Sequence, residues 1–177
     1  MAPDDFYIEL ETCTIRDWLQ GDEPSLVRHA NNRNVWINSR DSFPSPYTPA
    51  DARTWIGLAS THLLGQVWAI VVGGFAIGSV ALHPGDDVCR HSAEISFWIG
   101  QEFWGRGIAT DVTRAMTEWG FREGGFERIH AYVFEWNAAS RRVLEKAGYQ
   151  VEGKLRRSAF KAGQFVDQLV LARIRDE

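Results

Sequence analysis

The stretch from Ser92 to Arg122 restricts this chain more than any other. Ser92 to Ile99 reads as a strand, Gly100 to Arg106 as a loop, and Gly107 to Arg122 as a helix. Ile108, Val112, Met116 and Trp119 are spaced along that helix to share one face. The junction reads Trp104-Gly105-Arg106-Gly107-Ile108-Ala109-Thr110. Glycines there let the backbone approach a ligand closely. The first N–H groups of a helix have no partner inside it, and the helix dipole favours an anion at that end. A pyrophosphate fits such a junction, and Arg106 can add a charge-assisted hydrogen bond. Two other phosphate loops are excluded: no Gly-Lys-Ser/Thr triplet occurs, and Thr110 stands where a dinucleotide fingerprint needs its third Gly or Ala. Taken alone, the junction is also compatible with a tight strand-to-helix turn that binds nothing.

Around this stretch the sequence reads as alternating short elements. Glu9 to Trp18 is expected to form a first strand, and Glu23 to Trp36 a helical region in one or two pieces. Thr48-Pro49-Ala50-Asp51 opens a helix running to about His62, with Thr48 as N-cap and Pro49 in the first turn. Gln66 to Val72 and Ala76 to His83 are strands turning at Gly73-Gly74. Arg128 to Val133 is a strand, and Asn137 to Ala147 a helix ended by Gly148. Two strands close the chain, Val151 to Phe160 and Gln164 to Ile174. The fold class expected is α/β (α+β): a mixed, mostly antiparallel central sheet with helices on both faces, in a single domain over residues 1–177.

Composition narrows the function classes. The chain has 177 residues, 45% apolar and 24% charged, with a net charge of −4. No Lys/Arg block stands out, which argues against a nucleic-acid partner. The apolar run from Val67 to Gly78 is too short and too glycine-rich for a membrane span. The start, Met1-Ala2-Pro3-Asp4-Asp5, lacks the basic and apolar runs of a signal peptide. Cys13 and Cys89 match no metal spacing and no disulfide framework, so no metal and a reducing, cytoplasmic setting are expected.

A second segment follows a strand and opens a helix: Asn137-Ala138-Ala139-Ser140-Arg141-Arg142-Val143-Leu144. Asn137 is a natural N-cap, and Ser140 lies one turn on, at the same side of the helix start. By itself this is equally a capped amphipathic helix. Together the two segments resemble the GNAT superfamily of acetyltransferases. Trp104 to Ala109 is similar to its acyl-CoA loop, with Gly107 and Ala109 at the glycine positions. Asn137 to Tyr149 is similar to its Asn-led helix ending in Gly-aromatic. Ala93 to Ile99, Pro46 to Ala52 and Gly163 to Asp167 resemble the Rim-type branch, which acetylates protein N-terminal amines. Trp104 departs from the usual Gln/Arg of the loop but resembles that branch.

The resemblance implies an N-acetyltransferase that moves acetyl directly from acetyl-CoA, as co-substrate, to an amine acceptor. It implies acetyl-CoA contacts from Trp104, Gly105, Arg106, Gly107, Ile108, Ala109 and Thr110, and from Asn137 and Ser140. It also implies a main-chain oxyanion donor among Phe97, Trp98 and Ile99. Leu144 occupies the place where many members carry a proton-donating Tyr, and the Rim-type likeness gives that work to Ser140. Glu94 is the candidate base, acting through water: it shares a face with Ser96 and Trp98, and a carboxylate in a mostly buried strand needs a reason, with a structural ion pair or a rim position as the alternative. His83, ending the preceding strand, is the rival base. An α-amine has a pKa near 8 against about 10.4 for lysine, which mildly favours an N-terminal acceptor. A small-molecule amine acceptor (antibiotic, polyamine or amino acid), a non-catalytic acyl-CoA sensor, and a homodimeric assembly all stay open.

Overall fold

The computed structural model describes residues 6–61 and 66–176. The chain order is β1 (Tyr7–Glu9), β2 (Thr14–Arg16), α1 (Glu23–Ala30), α2 (Arg33–Trp36), α3 (Pro49–Ala59), β3 (Gln66–Val72), β4 (Phe75–Pro84) and β5 (Ser92–Ile99). After these come α4 (Ile108–Arg122), β6 (Arg128–Phe134), α5 (Ala138–Lys146), β7 (Gln150–Lys161) and β8 (Gln164–Ile174). The eight strands form one sheet in the order β1-β2-β3-β4-β5-β6-β8-β7. The pairs β1–β2, β2–β3, β6–β8 and β7–β8 run antiparallel, and β5–β6 runs parallel. This is the mixed, mostly antiparallel sheet that the sequence leads one to expect.

Some boundaries differ from expectation. In place of one strand over Glu9–Trp18, β1 ends at Glu9 and β2 covers Thr14–Arg16, because Leu10 N–H closes a turn on the Cys13 carbonyl at 2.9 Å. The helix opened by Thr48 carries the full reciprocal capping box with Asp51 and ends at Ala59. His62 and Met1–Asp5 lie outside the described residues.

Residue contacts divide the chain into two compact units. One takes the chain up to Ala81 together with Phe97–Val112. Its core gathers Trp18, Leu26, Tyr47, Ile56 and Val67, with Phe43, Trp55 and Trp98 packed against them. Gly78 answers to close strand packing: a Cβ there would meet the Trp98 carbonyl oxygen at 2.2 Å.

The other unit takes Leu82–Ser96 and the chain from Thr113 onward. Here α4 lies tight on the strands, since a Cβ on Gly120 would come within 2.7 Å of Ile129. Buried Thr117 shares a 2.7 Å hydrogen bond with the Tyr149 hydroxyl, whose pKa burial pushes up. Arg114 donates to the Lys146 carbonyl, a cation on the last turn of α5 where the helix dipole favours it. No helix among the described residues is long and apolar enough to cross a membrane.

Candidate active site

The glycine junction is built as a chain of short anchors followed by open backbone. β5 ends at Ile99, and a single tight turn covers Gln101–Phe103. The Trp104 indole N–H returns to the Ile99 carbonyl at 2.7 Å, closing the turn on itself. Gly105 and Gly107 then take φ of 76° and 83°, the left-handed region that glycine adopts without strain. A Cβ at either would meet nothing within 4 Å. Glycine is there for backbone shape, and the space over it is open. The main-chain N–H groups of Gly105, Arg106, Gly107 and Ile108 have no hydrogen-bond partner among the described residues. Four unpartnered donors in succession at a helix start suit an anion. The phosphates of an acyl-CoA fit such a donor set. The Arg106 guanidinium donates to the Glu102 carbonyl at 2.8 Å and lies 5.0 Å over the Phe103 ring.

Phe97, Trp98 and Ile99 form the end of β5, with Ile99 buried and the other two half-buried. Ile108 and Thr110 are buried and Ala109 is half-buried, so α4 is seated from its first turn. Asp111 in that turn accepts a 2.9 Å hydrogen bond from Thr12, placing a carboxylate where the helix dipole favours it.

The second unit carries the remaining candidates. Along β5, Ala93 and Ile95 are buried while Glu94 and Ser96 are half-buried on the alternate face. Ser96 Oγ lies 3.1 Å from His83 Nε2, so the two rival bases stand on adjoining strands with Ser96 on one of them. Across the parallel β5–β6 pair, Glu94 is in register with His130. His130 Nδ1 is 3.3 Å from Ser92 Oγ. Burial lowers the His130 pKa, against the opposing pull of Glu94. His130 escaped the sequence reading; a polar residue alternating with buried Ile129 and Ala131 was the available signal.

At the start of α5 the Asn137 side-chain oxygen accepts the Ser140 N–H at 3.1 Å. Asn137 and Ser140 are both half-buried, whereas Leu144 is fully buried. Leu144 is therefore a packing residue, and Ser140 is the hydroxyl at this helix start.

The family model for the acetyltransferase (GNAT) domain matches residues 13–150, more than half of the chain. The chain belongs to the GNAT family. Among its relatives, the putative ribosomal N-acetyltransferase YdaF of Bacillus subtilis is 32% identical over 108 residues, 61% of this chain and 58% of that protein. The L-amino acid N-acetyltransferase AaaT of Escherichia coli is 29% identical over 159 residues, 85% of this chain and 98% of that one. The matched stretch spans 58%, 49% and 53% of three Bacillus subtilis relatives, about half their length. A solved structure of RimL, the ribosomal L7/L12 α-N-protein acetyltransferase in complex with coenzyme A, superposes with a TM-score of 0.85. It covers 97% of this chain and 99% of that one at 21% identity, a likeness of fold.

The sequence reading of this GNAT domain also missed what supports the loop from outside. Gln101 is met by Asn32 and Asn34, and Glu102 by Arg28. Only the N-cap pattern at Asn32 could have been seen in advance; its partner lies 69 residues away in the chain.

Proposed function

We propose that this GNAT domain is a single transferase domain that moves an acetyl group from acetyl-CoA to a primary amine. The acceptor we assign is a protein or peptide N-terminal α-amine. The observation that carries the first part is the run of four unpartnered main-chain N–H groups at 105–108, bent outward by two left-handed glycines. The acceptor assignment draws support from the ribosomal N-acetyltransferase among the relatives and from amine chemistry. An α-amine costs about 3 kcal/mol less to deprotonate than a lysine amine.

In this reading acetyl-CoA supplies the thioester, its phosphates on the 105–108 amides. Glu94 accepts a proton from the acceptor ammonium through water, and the freed nitrogen attacks the thioester carbonyl carbon. A main-chain N–H among Phe97, Trp98 and Ile99 donates to the resulting oxyanion. The C–S bond then breaks as Ser140 gives the departing thiolate its proton, and the second proton leaving the attacking nitrogen restores the Ser140 hydroxyl through water, so that a neutral amide and CoA thiol result. His83 is the alternative base, through its contact with Ser96. A small-amine acceptor is the second reading, favoured by the L-amino acid N-acetyltransferase that this chain matches over 98% of its length. The free thiols of Cys13 and Cys89 suit a reducing cytoplasm.

Incubation with acetyl-CoA and a mixed library of defined peptides and small amines, read by mass, tests the assignment. Acetylation at peptide N-termini is the expected result. Acetylation of free amino acids or polyamines alone moves the acceptor to the second reading. Acetyl-CoA binding with no product from any amine makes the domain a sensor.

A further inference from the structure

We infer that Gln101 is a positioning residue for acetyl-CoA, and that the elbow between α1 and α2 sets how tightly the glycine loop binds it. The inference rests on reading 104–109 as the acetyl-CoA loop. It starts from the chemistry of one amide. Asn32 caps α2: its side-chain oxygen accepts the Asn34 N–H at 2.8 Å. With that oxygen engaged as acceptor, the other end of the Asn32 amide is a donor. It meets Gln101 Oε1 at 2.9 Å, and the Asn34 amide donates to the same oxygen at 3.0 Å. Two donors converge on one carbonyl oxygen, which has a lone pair for each.

The turn has further contacts. Arg28 bridges Glu102 at 3.2 Å, with both side chains exposed as Gln101 and Asn34 are. Buried His29 lies beneath Gly100, where an added Cβ would meet its ring at 2.7 Å, and stands edge-on to Phe103 at 5.4 Å. The turn 101–103 is thus gripped by α1 and α2 on one side. On the other it is joined to the loop by the Trp104 and Arg106 contacts.

Beyond that turn the backbone is next held at Gly107, whose carbonyl accepts the Thr110 and Asp111 N–H groups at 2.9 and 3.1 Å, and at buried Ile108. Gly105 and Arg106 span the gap between the two anchors, and their N–H directions depend on how firmly Gln101–Phe103 is held. Loosening the anchor leaves the donors in place but lets them wander, and ordering them again costs affinity. The chemical step, once acetyl-CoA is seated, involves other residues. The loss should fall on acetyl-CoA binding and not on the maximal rate.

The test is a calorimetric cycle on the full chain with acetyl-CoA: wild type, Gln101→Leu, Asn34→Ala and the double variant. Gln101→Leu keeps the bulk and removes the acceptor. It should raise Kd and the KM for acetyl-CoA about tenfold, the scale of re-ordering a loosened loop on binding. The rate at saturating acetyl-CoA should stay as in wild type, and the melting temperature of the ligand-free protein should fall only slightly with the two exposed hydrogen bonds. Asn34→Ala should weaken binding severalfold, and the double variant should bind no more weakly than Gln101→Leu alone, because the one bond that Asn34→Ala removes is already lost there. Unchanged Kd in Gln101→Leu, additive losses, or a loss confined to kcat overturns the inference while leaving the loop reading intact. If Gly107→Val binds acetyl-CoA as well as wild type, the loop reading fails, and this inference fails with it.

Discussion

Two helices of this chain begin in the same way, directly after a strand and a short turn, yet treat their first N–H groups oppositely. Before α4, two glycines swing the backbone into the left-handed region, and the N–H groups of 105–108 are left without partners among the described residues. Before α5, Asn137 turns its own side chain onto the Ser140 N–H. Both helix starts carry the dipole's positive end. What separates them is whether the chain fills its own donors. A helix start becomes an anion site when its sequence withholds the cap, and a mere structural boundary when it supplies one. In the proposed function the first region is the one that binds acetyl-CoA, while the second lends side chains to the reaction.

The sharpest way to break the contrast is Gly107→Val. A β-branched residue is strained at φ 83°, and its side chain would occupy the open space over the donors. Wild type at a hundredfold excess over Kd should gain about 2.7 kcal/mol of stability from acetyl-CoA, read as a rise in melting temperature. Gly107→Val should gain nothing over its own ligand-free melting temperature. An equal rise in the variant removes the loop from binding altogether.

Next in size is Glu94→Gln, which should lower turnover by about 10²-fold or more and leave acetyl-CoA affinity alone. The loss should be greatest at low pH, where few acceptor amines are free, and shrink as the amine deprotonates itself. A pH-independent rise in the acceptor KM alone would make Glu94 a binding carboxylate and turn attention to His83.

Ser140→Ala should cost about tenfold in kcat, with a smaller change in KM for acetyl-CoA. The effect is milder because a thiol of pKa near 8.5 leaves readily as thiolate. If kcat is unchanged with chemistry rate-limiting, Ser140 is simply a residue of the first turn. Smallest is Asn137→Ala: it should lower stability by about 1 kcal/mol through the lost cap and shift acetyl-CoA affinity little. A loss of affinity as complete as that of Gly107→Val would erase the distinction between the two helix starts.

What could be read in advance follows from how local the causes are. The limits of β5, the Thr48 cap and the stop at Gly148 each depend on residues within one or two turns, and all appear where expected. The break between β1 and β2 was missed because Glu11-Thr12-Cys13 turns without Gly or Pro. The insertion of β8 between β6 and β7 was beyond reach for a different reason. A hairpin turn at Ala162-Gly163 specifies that β7 and β8 pair, but not which of them lies beside β6. The site divides likewise. The left-handed glycines of the junction and the alternation that leaves Glu94 half-buried are visible as patterns along the chain. The grip of Asn32 and Asn34 on Gln101, and the register of His130 beside Glu94, join segments that only the fold brings together.

The donors at 105–108 belong to the main chain, and this bears on how such a protein can change over generations. Every amino acid except proline carries the same N–H, so replacing Arg106 or Ile108 exchanges side chains around these groups without deleting a donor. The information resides in two backbone angles at Gly105 and Gly107. Substitution can therefore rewrite most of the loop's side chains while the row of donors persists.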